Sequence, residues 1–299
     1  MARRKRYNRG AAASSAPALT PSAPAIALPP PPLVRVVGGN SATTAMVLAC
    51  LNTVDACVLR RLHPAMAAAV AEVPWVDMVT VVNDVPRWRA ALPAAVGMRP
   101  AEMPTRHGAV LARVTSLDLS GCDDVAESDI AALPPLLRSL TMRTSRREGW
   151  SFLHLTALES LDISNPHVVD GSVSTDRLPP SLRELRINDV VLAADTDFTH
   201  LRSLRLLHNA GEHCELSAAT IASLPTSMEE LDVSSTWGSN KEWPPGVSLA
   251  HLPRLRMLRT ASRDVYYDAT MATLSPSLMC LTPICRLTCH LRTCHFCTR

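Results

Sequence analysis

Five cysteines and two histidines crowd the C-terminal end of the chain: Cys280, Cys285, Cys289, Cys294 and Cys297, with His290 and His295. Zinc takes four thiolate or imidazole ligands in a tetrahedron, and the Cys294–Cys297 spacing suits one knuckle. Only four residues separate Cys289 from Cys294, too little chain to wrap a second knuckle around the same ion. A truncated or frame-shifted end accounts for the change of character as well as a metal site does, so both readings stand, and no metal site or cofactor is assigned. Other chemistry is missing from the usual places. Gly38-Gly39 lacks the lysine of a phosphate loop, and there is no H-E-x-x-H or G-x-S-x-G. The ten histidines are scattered, and His200 and His251 sit at equivalent places before repeated segments, which the repetition itself explains. The expectation is a protein without catalytic activity and without a small-molecule substrate.

Composition narrows the classes further. Of 299 residues 47% are hydrophobic but only 4% aromatic, so the core must be aliphatic. A net charge of +3 gives no argument for nucleic acid. No stretch approaches the roughly 18 apolar residues of a membrane span, and no N-x-S/T acceptor is present. Cys50, Cys57, Cys122 and Cys214 are scattered, which suits free thiols in a reducing compartment. The compartment expected is the cytoplasm, with the nucleus and mitochondrion as alternatives.

The elements that must position any site fall into four segments. Residues 1–32 open with Arg3, Arg4, Lys5, Arg6 and Arg9 and end in Pro29–Pro32, the composition of a disordered basic tail. Its basic start reads as a nuclear import patch, as part of a mitochondrial presequence, or as a solvated tail. Residues 33–105 read as a helical cap. Apolar residues recur at three- and four-residue spacing over 45–51, 54–62 and 65–73, Pro64 suits a helix start, Asp55 suits a cap, and Trp75 and Trp88 suit anchors. Residues 106–283 carry repeats, and 284–299 form the Cys-rich, irregular tail.

The repeats share one pattern: apolar, two variable, Leu, one variable, apolar. It appears as VTSLDL (114–119), LRSLTM (137–142), LESLDI (158–163), LRELRI (182–187), LRSLRL (201–206), MEELDV (228–233), LRMLRT (255–260) and a fading LMCLTP (278–283). The inner leucines are then Leu117, Leu140, Leu161, Leu185, Leu204, Leu231, Leu258 and Leu281, at steps of 23, 21, 24, 19, 27, 27 and 23. Lead-ins alternate between a Leu-Pro type, as in LPPSLREL, and an apolar type, as in LHLTALESL. The period predicts short strands stacked as a parallel sheet from about 115 to 283, one per repeat.

This pattern resembles the leucine-rich-repeat family over more than half the chain, and the LPPSLREL phrasing is similar to repeat proteins of trypanosomatid parasites. The resemblance implies an α/β leucine-rich-repeat solenoid with an N-terminal helical cap, acting as a protein–protein interaction scaffold. The first repeat, LDLSGCDDVAESDIAAL (117–133), resembles the cysteine-containing subtype of F-box proteins. That likeness puts Cys122 in the turn as a hydrogen-bonding side chain, with Val125 and Ile130 inward and Ser145, Asn209 or Thr236 at the matching position of other repeats. Pro166 and Val190 depart from it. Residues 48–75 resemble an F-box through Leu51, Asp55, Leu59, Leu62, Val70 and Trp75. The alternative they imply is a substrate-recognition subunit of a ubiquitin ligase that docks a Skp1-like adaptor.

On such a solenoid the residue between the two inner apolar positions points from the concave face. In order these are Asp118, Thr141, Asp162, Arg186, Arg205, Asp232 and Arg259. The charged members, Asp118, Asp162, Arg186, Arg205, Asp232 and Arg259, are the candidate contacts for a protein partner. Successive positions place Arg186 and Arg205 side by side, about 5 Å apart. A pair of that kind suits a carboxylate or phosphate patch.

Overall fold

The structure, a computed structural model, describes residues 47–48, 50–104, 108–122, 125–143, 150–164, 172–188, 191–192, 196–210, 216–233, 247–260 and 277–283. The 1–32 segment, the 284–299 tail, and Ser145, Pro166, Val190, Cys214 and Thr236 lie outside the described residues.

Leucine at every repeat's centre dictates the main layer. Among the described residues ten strands pair in parallel in one sheet: β1 (Val76–Val82), β2 (Gly97–Pro100), β3 (Ser116–Asp118), β4 (Ser139–Met142), β5 (Ser160–Ser164), β7 (Glu184–Asn188), β9 (Leu206–Ala210), β10 (Glu230–Val233), β11 (Met257–Thr260) and β12 (Cys280–Pro283). A separate ladder joins β6 (Ser172–Val173) to β8 (Val191–Leu192). Across the large sheet the register aligns Leu117, Leu140, Leu161, Leu185, Leu207, Leu231 and Leu258, all fully buried. Leu119, Met142, Ile163 and Ile187 bury beside them at the next inward position. One strand per repeat with stacked leucines is an α/β leucine-rich-repeat solenoid. The last copy, LMCLTP, still pairs, with Leu258 opposite Leu281 and Thr260 opposite Pro283.

Two lead-ins alternate and each has its own arithmetic. In the apolar type Phe152, Leu155 and Leu158 run inward at steps of three to Leu161; Phe198, Leu201 and Leu204 do the same to Leu207, and Leu249, Leu252 and Leu255 to Leu258. The first two steps each close a tight turn, as in Leu201 N–H to the Phe198 carbonyl at 2.9 Å. In the Leu-Pro type the turn starts at proline, as in Leu182 N–H to the Pro179 carbonyl at 3.1 Å. Proline supplies the preset φ of such a turn and needs no donor there. In three of these repeats the serine just before the first inward residue locks the repeat to its predecessor. The hydroxyls of Ser181, Ser227 and Ser277 donate to the carbonyls of Leu158, Leu204 and Pro253 at 2.8, 2.7 and 2.9 Å.

One carbonyl per repeat takes two N–H groups from the next. Arg138 O accepts from Glu159 and Ser160, Glu159 O from Arg183 and Glu184, and Arg183 O from Arg205 and Leu206, at 2.8–3.0 Å. The same double acceptance runs back to Val96 O and Trp75 O. The sheet therefore begins at Val76, about forty residues before the expected start near 115. Valines supply β-branched strand formers in β1, but an irregularity between Val76 and Val81 hides the two-residue period that would have marked it. Gly97 fits against it without a side chain; a Cβ there would meet Val76 Cγ1 at 2.8 Å and its Cα at 2.9 Å.

Helices α1 (Thr53–Leu62) and α2 (Pro64–Glu72) precede β1, and α3 (Val85–Ala91) follows it. Pro64 does begin α2 and the His63 ring caps it, while α1 is capped by Asn52, whose side chain accepts from Asp55 N–H, not by Asp55. Trp75 and Trp88 are buried anchors, and Trp75 Nε1 donates to Val70 O at 2.9 Å. Asp77 docks α1 on the sheet. Its Oδ2 accepts from Thr53 N–H and hydroxyl, its Oδ1 from Val79 and Thr80 N–H.

Arg89 ties the cap together, reaching the carbonyls of Val110, Pro93 and Ala95 at 2.7–3.2 Å with its guanidinium 4.8 Å from the Trp88 ring centre. Charged hydrogen bonds of this kind each contribute about 1.5–3 kcal/mol. Arg89→Ala should therefore lower the urea midpoint by an amount equivalent to at least one such bond, about 2 kcal/mol or more, and a variant as stable as the parent would remove this role.

Candidate partner-binding face

Alternation in each strand turns one side toward the leucine core and leaves the other open. Three rows of side chains run across the open side. The outer row, at the start of each strand, is Arg138, Glu159, Arg183, Arg205, Glu229 and Arg256. The middle row is Ser139, Ser160, Glu184, Leu206, Glu230 and Met257. The inner row is Asp118, Thr141, Asp162, Arg186, His208, Asp232 and Arg259.

One expected adjacency is overturned. Arg186 faces His208, not Arg205, and Arg205 lies in the outer row beside Arg183. The segment LRSLRLLHN holds two overlapping frames, Leu201-x-x-Leu204-x-Leu206 and Leu204-x-x-Leu207-x-Asn209. The first, whose third position is the apolar Leu206, is the frame that the repeat pattern predicts, but the chain adopts the second and buries Asn209 completely opposite Ile187. Asn209 is thus an inward strand residue, not the turn residue matching Cys122. With Leu207 in place the steps from Leu161 to Leu231 become 24, 22 and 24. Aligning Phe198 with Phe152, nine residues before its leucine, was the signal that picks the right frame.

The candidate residues divide by what holds them. Asp118 is mostly buried, its Oδ1 accepting from Ser120 N–H at 2.8 Å and its Oδ2 3.6 Å from Arg99 Nε. Asp232 is likewise covered, its Oδ2 shared by His208 Nδ1 at 3.1 Å and Arg259 Nη1 at 3.3 Å. Asp162 is half-buried opposite Arg186. Arg186 turns to Glu184 in its own strand at 3.0 Å. Arg205 reaches Glu229 at 3.7 Å and keeps half its side chain in solvent.

Of the outer row sequence reasoning named only Arg205, since these residues lie beside the repeat's first inward residue and outside the x-Leu-x triplet. There Glu159 sits between Arg138 and Arg183, at 3.8 and 3.6 Å. These arginines are more than half exposed, whereas Glu159 and Glu229 are about one-third exposed. The rows border a groove of about 470 Å³ from Arg138 to Glu230.

Elsewhere, Cys122 Sγ donates to Pro100 O at 3.6 Å in the first turn, and Val125 and Ile130 are buried. His154 joins His200 and His251 at their shared repeat position, where His251 Nε2 lies 3.1 Å from the Ile221 carbonyl. Among the described residues no group of three His, Cys, Asp or Glu is placed to hold a metal, and no helix is long and apolar enough to cross a membrane. Cys285, Cys289, Cys294 and Cys297 lie outside them.

No family model and no curated protein matches the chain. Among solved structures it is similar to human 5T4 (Wnt-activated inhibitory factor 1, trophoblast glycoprotein), at 24% identity and a TM-score of 0.41, over 57% of this chain and 70% of that one. It is also similar to CroV588, described as a novel circular leucine-rich-repeat protein, at 15% identity and a TM-score of 0.33, over 57% of this chain and 27% of that one. These likenesses are loose, and the leucine-rich-repeat fold rests on the chain's own strand register.

Proposed function

We propose that the protein is a non-catalytic interaction scaffold whose protein partner sits on the open, concave side of the sheet. The observation that carries this is the outer row: charged side chains on the residue just before each of β4, β5, β7, β9, β10 and β11 reach solvent, where the buried core has no use for them. Exposed ion pairs longer than 3.5 Å stabilise a fold by only about 0–1 kcal/mol, so their stability value does not explain them. Arg183→Glu combined with Arg205→Glu should abolish recovery of a specific partner in affinity purification with mass spectrometry. The melting temperature should stay nearly unchanged. Undiminished recovery would place the footprint elsewhere.

A second reading is favoured by one feature of the cap. Val54, Val58 and Leu62 recur every fourth residue on α1 and are all more than half exposed. An F-box-like segment would use such a stripe to dock a Skp1-like adaptor, with Leu59 packed inward. Val58→Asp with Leu62→Asp should then eliminate binding of purified adaptor, and absence of binding by the parent chain would end this reading. In the scaffold reading the protein works in the cytoplasm, and Asp162, Arg186, Arg205 and Arg259 touch the partner beside the more covered Asp118 and Asp232.

A further inference from the structure

We propose that the occupant of the open face is a partner α-helix lying across the strands, with a charged stripe that runs acid, base, acid, acid, base, acid. This rests on the scaffold reading and specifies its partner. The outer row reads Arg138, Glu159, Arg183, Arg205, Glu229, Arg256, one residue per strand. Backbones of neighbouring strands stand about 4.8 Å apart, so the row spans roughly 24 Å. A helix presents one residue to a given side each turn, every 5.4 Å, and six such residues span five turns, about 27 Å. Long Arg and Glu arms absorb that ~3 Å difference. An extended segment presents same-side residues about every 6.7 Å, so six of them would span roughly 33 Å and fall out of step by two strands. Spacing therefore selects a helix.

The order of charges bears on two other occupants. Reversed end to end, the row reads the same, so a second copy docked in full register, about a two-fold axis between Arg183 and Arg205, would set Arg183 against Arg205 and Glu159 against Glu229. In that register like charges would meet along the whole row. A polyanion is disfavoured because Arg138, Arg183, Arg205 and Arg256 are balanced by Glu159, Glu229, Glu184 and Glu230 in the outer and middle rows. The two central arginines also have a use for a second acid. Arg183 and Arg205 are backbone neighbours, with Arg205 N–H donating to Arg183 O at 2.8 Å, and their glutamates lie on their far sides. Glu184, the nearest middle-row acid, turns instead to Arg186 at 3.0 Å. Half-buried Leu206 and Met257 sit two strands apart in the middle row, roughly the ~10.5 Å rise of seven helical residues, so the helix also meets two apolar contacts.

The test uses the full chain and labelled helical peptides in fluorescence anisotropy. One peptide carries Glu, Lys, Glu, Glu, Lys, Glu at one residue per turn; a second has the same residues scrambled around the helix; a third is the first with a central proline. The matching peptide should bind at least ten-fold tighter than either control. Arg183→Glu with Arg205→Glu should move the preference to a peptide with Lys at the two middle turns. Equal affinity for matching and scrambled peptides, undiminished binding of the proline peptide, or no switch in the reversed protein would each overturn the helix. If the peptides fail while capture of a native partner is still lost on the double reversal, the helix falls and the scaffold face stands. If capture survives, both fall.

Discussion

Leu161→Ala is expected to cost about 2–5 kcal/mol, the range for truncating a fully buried leucine. Leu161 is completely buried, and its strand pairs with Leu140 on one side and Leu185 on the other. In a solenoid each repeat is held by its two neighbours, so a cavity at the shared wall weakens both interfaces at once. A loss of that size is a large share of the roughly 5–15 kcal/mol that holds a domain together. Leu153, in the same lead-in but half exposed, is the control, and Leu153→Ala should cost no more than about 0.5 kcal/mol. Urea unfolding followed by circular dichroism reads both. Comparable losses from the two variants would mean that Leu161 is not in the stacked row.

Asp77→Asn should produce the second large effect, and one that depends on pH. Burial would by itself raise the Asp77 carboxyl, yet hydrogen bonds from Thr53 and Thr80 hold it well below the usual carboxylate range. A carboxyl whose folded value is depressed contributes fully above its unfolded value of about 3.9 and loses that contribution as pH falls further. At neutral pH, where the charged acceptor serves Thr53, Val79 and Thr80, the substitution should cost about 2–3 kcal/mol. The gap between parent and variant should hold from pH 7 to about 4 and narrow below it. A gap that widens toward pH 3 would show that the carboxylate does not stabilise the α1–β1 contact.

Much of the architecture could be read from residue order because burial imposes a rhythm that is hard to counterfeit. Leu117, Leu140, Leu161, Leu185, Leu231 and Leu258 fall where the pattern put them, and the alternating lead-ins are two real ways of turning into a strand. The exceptions have physical causes. At 201–209 leucines are dense enough to satisfy two frames, and a buried polar Asn209 made the true one look worse. At 76–82 the break in pairing erased alternation, and without leucines the segment did not resemble a repeat. The candidate site was legible only in outline. Which charges share a row depends on register, so one three-residue slip separated Arg205 from Arg186 and joined it to Arg183. The burial of Asp118 and Asp232 depends on neighbours that no spacing rule names.

The locking serines have a consequence for how such a chain grows. Three of the Leu-Pro repeats donate a hydroxyl to the apolar repeat before them, through Ser181, Ser227 and Ser277. In the first Leu-Pro repeat the corresponding residue is Leu136, which is exposed. The heritable unit is therefore a couple of repeats, 45 to 51 residues long by the spacing of like leucines: Leu140, Leu185, Leu231 and Leu281 in one series, Leu161, Leu207 and Leu258 in the other. Duplication or deletion of a couple leaves every new junction with a donor and an acceptor of the right kind. Loss of a single repeat sets two of one kind together and strands a partner. Descendants and designed variants of this chain should differ in length by twos.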